Sequence, residues 1–86
     1  MKRRVKTNGR QYEFTAVFHP AEKGGYWVSV PSLPGCYSQG DTFEEAQRMI
    51  AEATELTIEC MLEDGEEIPD ERGAIVGSVT VSPQPA

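Results

Sequence analysis

The sequence has 86 residues, is 38% apolar and 26% charged, and carries a formal net charge of −6. That is one globular domain with a small core, to which a second subunit would add stability. No apolar run is long enough to span a bilayer and no basic-apolar-small leader opens the chain, so a membrane protein or a secreted precursor is not expected.

The charge is segregated. Residues 1–40 hold six basic and two acidic side chains, residues 41–72 hold twelve acidic and two basic, and residues 73–86 hold none. Such a chain repels nucleic acid and attracts basic partners. Lys2, Arg3, Arg4 and Lys6 mark residues 1–10 as a basic N-terminal arm, extended around Val5, that is either a solvated terminus or a contact for nucleic acid.

Residues 11–19 alternate: Tyr12, Phe14, Ala16 and Phe18 point one way, and Gln11, Glu13, Thr15 and His19 the other. This is the period of a half-buried strand. Pro20 ends it and Lys23-Gly24-Gly25 supplies a turn. A second strand at 26–30 alternates Tyr26, Val28 and Val30 against Trp27 and Ser29, which predicts an antiparallel hairpin. Pro31, Pro34 and Gly35 make a rigid turn into a short third strand at 36–39.

Gly40-Asp41-Thr42 opens a long helix over about 43–64. Thr42 caps it, and Glu45 stands three residues on, the spacing of a capping box. Phe43, Ala46, Met49, Ile50, Ala53, Leu56, Thr57, Cys60 and Met61 share an arc that is predicted to cover the sheet. Gly65 occupies the left-handed C-cap position. After an Ile68-Pro69 connector, the β-branched residues Ile75, Val76, Val79, Thr80 and Val81 predict a fourth strand near 74–82, and residues 83–86 a frayed tail. The expected fold is α+β: a single domain with core 11–82, element order βββαβ, and a mixed sheet in which strands three and four run parallel. One helix covers one sheet face, so a partner chain or solvent must meet the other.

Chemistry is sparse. His19 beside Pro20 has no nucleophile or second histidine near it, so a turn or surface role is expected. The strand-strand-strand-helix-strand order invites comparison with ribonuclease H, which grips two metal ions between carboxylates from strands and helix. Here the first strand offers only Glu13 and the fourth no acid, so no metal, cofactor or catalytic residue is expected. Cys36 and Cys60 fit neither a zinc site nor a disulfide framework and are expected to be reduced, partly buried thiols of a cytoplasmic protein.

Glu44, Glu45, Glu52, Glu55, Glu59 and Glu63 instead form an acidic stripe on the outer side of the helix, interrupted by Arg48. It is either a solvated face or a docking surface for a cationic partner. Ile58 and Leu62 lie beside the main apolar arc, as core edge or subunit contact, and Trp27, on the uncovered sheet face, is either shielded by the N-terminal arm or an interface anchor. Trp27, Glu52, Glu55, Ile58, Glu59 and Leu62 are thus the expected interface residues.

The run Gly25-Tyr26-Trp27-Val28-Ser29-Val30-Pro31-Ser32-Leu33-Pro34-Gly35-Cys36-Tyr37-Ser38-Gln39-Gly40-Asp41-Thr42-Phe43-Glu44-Glu45-Ala46, followed by Gly65, Ile68 and Pro69, resembles the signature of the HicB antitoxin family over roughly residues 12–82. The resemblance implies a degenerate ribonuclease-H-like βββαβ fold without nuclease residues. It also implies a protein that is not an enzyme and that neutralises a small basic messenger-RNA-cleaving toxin, HicA, by contact. Pro31, Leu33, Pro34, Gly35, Gly40 and Thr42 then serve as turn, cap and packing residues. Many family members also carry a C-terminal DNA-binding domain. This sequence stops after the fourth strand, so direct DNA binding is not expected. A homo-dimer or tetramer is the expected assembly, and a stand-alone structural or regulatory homo-oligomer without a toxin is the alternative.

Overall fold

The computed structural model describes residues 11–85; the basic arm at 1–10 and Ala86 lie outside the described residues. Strands β1 (Val17–Pro20), β2 (Tyr26–Ser29) and β3 (Tyr37–Gly40) form an antiparallel meander in the order β1-β2-β3, and helix α1 spans Phe43–Glu63. The first strand is shorter than its alternation predicts. Residues 11–16 stand outside the ladder, yet Tyr12, Phe14 and Ala16 still pack against the core.

In the ladder Phe18 pairs with Val28 and Val28 with Ser38, so these three share one face of the sheet. Val28 is fully buried under the helix. The β2–β3 connection buries every third residue: Val30, Leu33 and Cys36 point inward. Their backbones close on each other, with Leu33 N–H donating to Val30 O at 2.9 Å, Cys36 N–H to Leu33 O at 3.0 Å, and Val30 N–H to Cys36 O at 3.0 Å. Gly35 at φ 83° supplies the left-handed residue that this winding requires.

The capping box forms as its spacing predicts. Glu45 N–H donates to Thr42 Oγ1 at 3.0 Å, and the Glu45 carboxylate accepts the Asp41 N–H at 2.7 Å. At the far end Glu66 N–H reaches Met61 O at 2.9 Å and Gly65 N–H reaches Leu62 O at 3.2 Å, with Gly65 at φ 73°. That is a Schellman C-cap. The first turn of α1 sits directly on β3: a Cβ on Gly40 would lie 2.4 Å from Ala46 N, so only glycine permits this approach. Phe43 fixes the angle, its ring 4.5 Å from that of Phe18 and edge-on to Tyr26 at 6.2 Å.

The helix is rolled relative to the predicted face. Ala46, Ile50 and Ile58 are buried, and Ala53, Met61 and Leu62 pack against the core, whereas Phe43, Met49, Leu56 and Cys60 are exposed. At 100° per residue the apolar positions from Leu56 round to Leu62 cover about 240° of helix surface. Three four-residue strands cannot cover that arc, and the sheet takes the part centred near Ile50. Ile58, 4% exposed, therefore belongs to the chain's own core, which corrects its assignment to an interface, and Leu62 is half-buried beside it.

The largest correction concerns the C-terminus. Residues 74–82 form no strand, so the fourth strand and the parallel pairing with strand three are not present. Ile75, Val76, Val79 and Val81 are 96%, 69%, 87% and 73% exposed. The pattern is that of a strand, but the segment is laid against neither outer edge of the sheet.

Candidate protein-docking surface

Alternation along the strands puts Val17, His19, Trp27, Ser29, Tyr37 and Gln39 on the sheet face away from α1. His19, Trp27 and Gln39 form one cross-strand row, and Val17, Ser29 and Tyr37 the next. The His19 ring stacks on Trp27 at 3.8 Å between centroids and 14° between planes. This stacking stiffens an aromatic platform on the free sheet face. Trp27 is still 46% exposed and Tyr37 68%. At one end the platform borders an open depression of about 860 Å³ lined by Lys23, Trp27, Gln39, Asp41 and Arg48, so both signs of charge meet there.

The opposite side of the molecule is the outer face of α1. Glu44, Glu52, Glu55 and Glu63 are exposed, while Glu45 and Glu59 are half-buried. The last turn has no basic residue and runs into Glu63 and Asp64. Acids at the negative end of a helix dipole cost about 0.3–1 kcal/mol each at a surface site. Helix stability alone does not account for this stripe. All fourteen acidic residues lie within 11–85, against three cations there: Lys23, Arg48 and Arg72.

The predicted interface residues thus separate. Trp27 stands on the free sheet face, Glu52 and Glu55 on the free helix face across the two layers, and Ile58 inside. No single flat surface contains them all.

Reading the sequence for motifs misses Glu71. Its carboxylate accepts from Thr15 Oγ1 at 2.7 Å, from Ser32 Oγ at 2.7 Å and from the Thr15 amide at 3.1 Å, while its own N–H donates to Glu13 O at 3.0 Å. One side chain ties the connector after the helix to the approach to β1 and to the β2–β3 turn. The Thr15 hydroxyl above all, then the Ser32 hydroxyl and the Thr15 amide, hold its pKa below the ordinary carboxylate value against an opposing desolvation effect. Partners 56 and 39 residues away leave no periodic signal. Next door, Asp70 is likewise lowered, chiefly by the Arg72 N–H and also by its guanidinium at 2.9 Å.

Both cysteines are free thiols, Cys36 buried and Cys60 exposed. Thr54 Oγ1 donates to Ile50 O at 2.7 Å, so the Cys36 thiol is the donor in its 3.6 Å contact with Thr54. Among the described residues no group of three or more His, Cys, Asp or Glu is placed to hold a metal ion. No helix among them is long and apolar enough to cross a membrane.

A family model described as the HicB-like antitoxin of bacterial toxin–antitoxin systems matches residues 14–83. A UPF0150 protein of Synechocystis is 45% identical over 60 residues, which are 70% of this chain and 76% of that protein. A UPF0150 protein of Thermoplasma acidophilum is 42% identical over 57 residues, 66% of this chain and 83% of the relative. A Photorhabdus laumondii protein named Antitoxin HicB 1 is 40% identical over 60 residues, 70% of this chain but 39% of that longer protein.

Proposed function

Since the chain belongs to the HicB-like antitoxin family, we propose that it is an antitoxin that neutralises a small basic, messenger-RNA-cleaving toxin of the HicA type by stoichiometric protein contact in the cytoplasm. The observation that carries this reading is the family match over residues 14–83, nearly all of the described chain. The charge distribution agrees with it. A body with fourteen acids against three cations raises the local concentration of a cationic partner and speeds its encounter. We assign first contact to the outer face of α1 through Glu52 and Glu55, because a basic toxin meets no competing cation there except Arg48.

Masking needs contact alone, which suits a surface of carboxylates and aromatic rings. The degenerate ribonuclease-H-like description of the frame belongs to the same proposal: a sheet-and-helix scaffold used for binding. Mixing the protein with a HicA-type toxin should abolish RNA cleavage at one-to-one stoichiometry and give a complex whose association slows as salt rises. Glu52→Lys with Glu55→Lys should slow association about tenfold at low salt. A toxin that still cleaves RNA in the presence of excess protein at low salt would refute the proposal.

A further inference from the structure

The C-terminal segment presents a contradiction. Residues 74–82 (AIVGSVTVS) carry no charge and hold five β-branched residues, yet their aliphatic side chains lie open to water. The last ties to the body are the Glu71 contacts and a turn in which Ala74 N–H donates to Glu71 O at 3.0 Å. Gly73, at φ 88°, turns the chain there. Beyond this point the segment is not laid back on its own sheet. That sheet has two outer edges, on β1 and β3, with no ladder partner among the described residues. Independently, the shoulder of α1 carries Met49, Leu56 and Cys60 exposed beside the core. One chain therefore holds a donor strand without an edge, edges without a strand, and apolar helix surface without a cover.

From this we infer that residues 74–82 are an exchanged strand: in a two-fold dimer each copy adds this segment to an open sheet edge of the other. The occupant is a second copy because donor and acceptor are present in the same chain, so one symmetry operation satisfies both tails and closes the assembly. Nine residues in strand conformation reach about 30 Å, enough to cross to a neighbour. Charge selects the same geometry. Two copies meeting through their acidic helix faces would repel, whereas an uncharged segment docks on an acidic body without that penalty. Main-chain hydrogen bonds to the edge supply affinity, and the alternating valines supply register. The inference does not rest on the toxin proposal and leaves the helix face free for another partner.

Sedimentation and hydrogen exchange of the full chain test it. At 50–100 µM (on the order of subunit concentrations that populate a micromolar dimer) the protein should sediment at twice the mass of its 9.5 kDa chain. Amides 75–81 should be protected, and that protection should vanish on dilution as monomer appears. The double variant Val79→Asp/Val81→Asp should raise the dimer dissociation constant about 100-fold. Its helical circular dichroism should stay unchanged, because both side chains are largely exposed and lie outside the core. Isotope-filtered NMR on mixed labelled and unlabelled chains should show contacts from Val79 or Val81 across the two copies. A monomer throughout, a dimer indifferent to the double variant, amides protected in the monomer, or protection that appears only when a basic toxin is added would each overturn the inference.

Discussion

Two segments of this chain contrast sharply. Residues 30–36 and residues 74–82 are both short, uncharged and rich in aliphatic or conformationally special residues. The first closes on itself through three backbone hydrogen bonds and buries Val30, Leu33 and Cys36. The second has its Ile and three Val side chains in water and no strand partner among the described residues. Composition does not separate them; the location of their hydrogen-bond partners does. A turn finds its partners within six residues, whereas a strand depends on an edge that its own chain must leave free.

The contrast can be broken most severely from the turn side. Leu33→Ala removes one of the two largest fully buried side chains and should cost about 3 kcal/mol, read as a shift of the urea midpoint. Next, Gly40→Ala forces a Cβ into the backbone of Ala46, which cannot give way. It should cost about 2 kcal/mol and loosen Phe43 from Phe18, visible in near-ultraviolet circular dichroism. Thr42→Ala removes the acceptor for Glu45 N–H and should cost about 1 kcal/mol in thermal unfolding.

Glu71 marks the boundary between the two regimes, and its effect depends on pH. Its folded pKa is depressed, so its contribution is present above the unfolded value and is lost as pH falls through the folded one. Relative to Glu71→Gln, the wild type should lead in melting temperature at pH 7, and the gap should close in acid below the ordinary glutamate range. On the other side of the boundary, removing residues 74–86 should change the stability of the dilute monomer by less than about 0.5 kcal/mol, measured by urea unfolding.

The sequence was legible where the physics is local. The Thr42–Glu45 box, the Gly65 cap, the two-proline turn and the strand alternation each depend on neighbours a few residues apart, and each is found where its pattern places it, apart from residues 11–16, which stand outside the β1–β2 ladder. The roll of α1 was not legible, because its apolar arc is wider than the sheet that covers it. Which part turns inward is set by the close approach at Gly40 and by the position of the β2–β3 turn. That is why Ile58 went inside and Leu56 and Cys60 came out. Glu71 looked like one more surface acid because its partners lie far back in the chain. Residues 74–82 carry the pattern of a strand and form none, because periodicity reports that a segment wants one dry side and says nothing of what provides it. For the docking surface, the types and the acidity were visible, while the separation of Trp27 from the glutamates across two layers required the packing.

The period-three burial in the β2–β3 connection sets a rule for where this chain tolerates edits. Adding or deleting one residue between Val30 and Cys36 would swing the thiol outward and flip the sidedness of the whole following strand. The β1–β2 connection is closed by Ala21 N–H to Gly25 O at 3.0 Å and Gly24 N–H to Ala21 O at 3.1 Å, but it buries no side chain: Glu22 and Lys23 are exposed and nothing crowds Gly24. Length variation among homologues, and any engineered tag or graft, therefore belongs at residues 22–24 and not at 31–35.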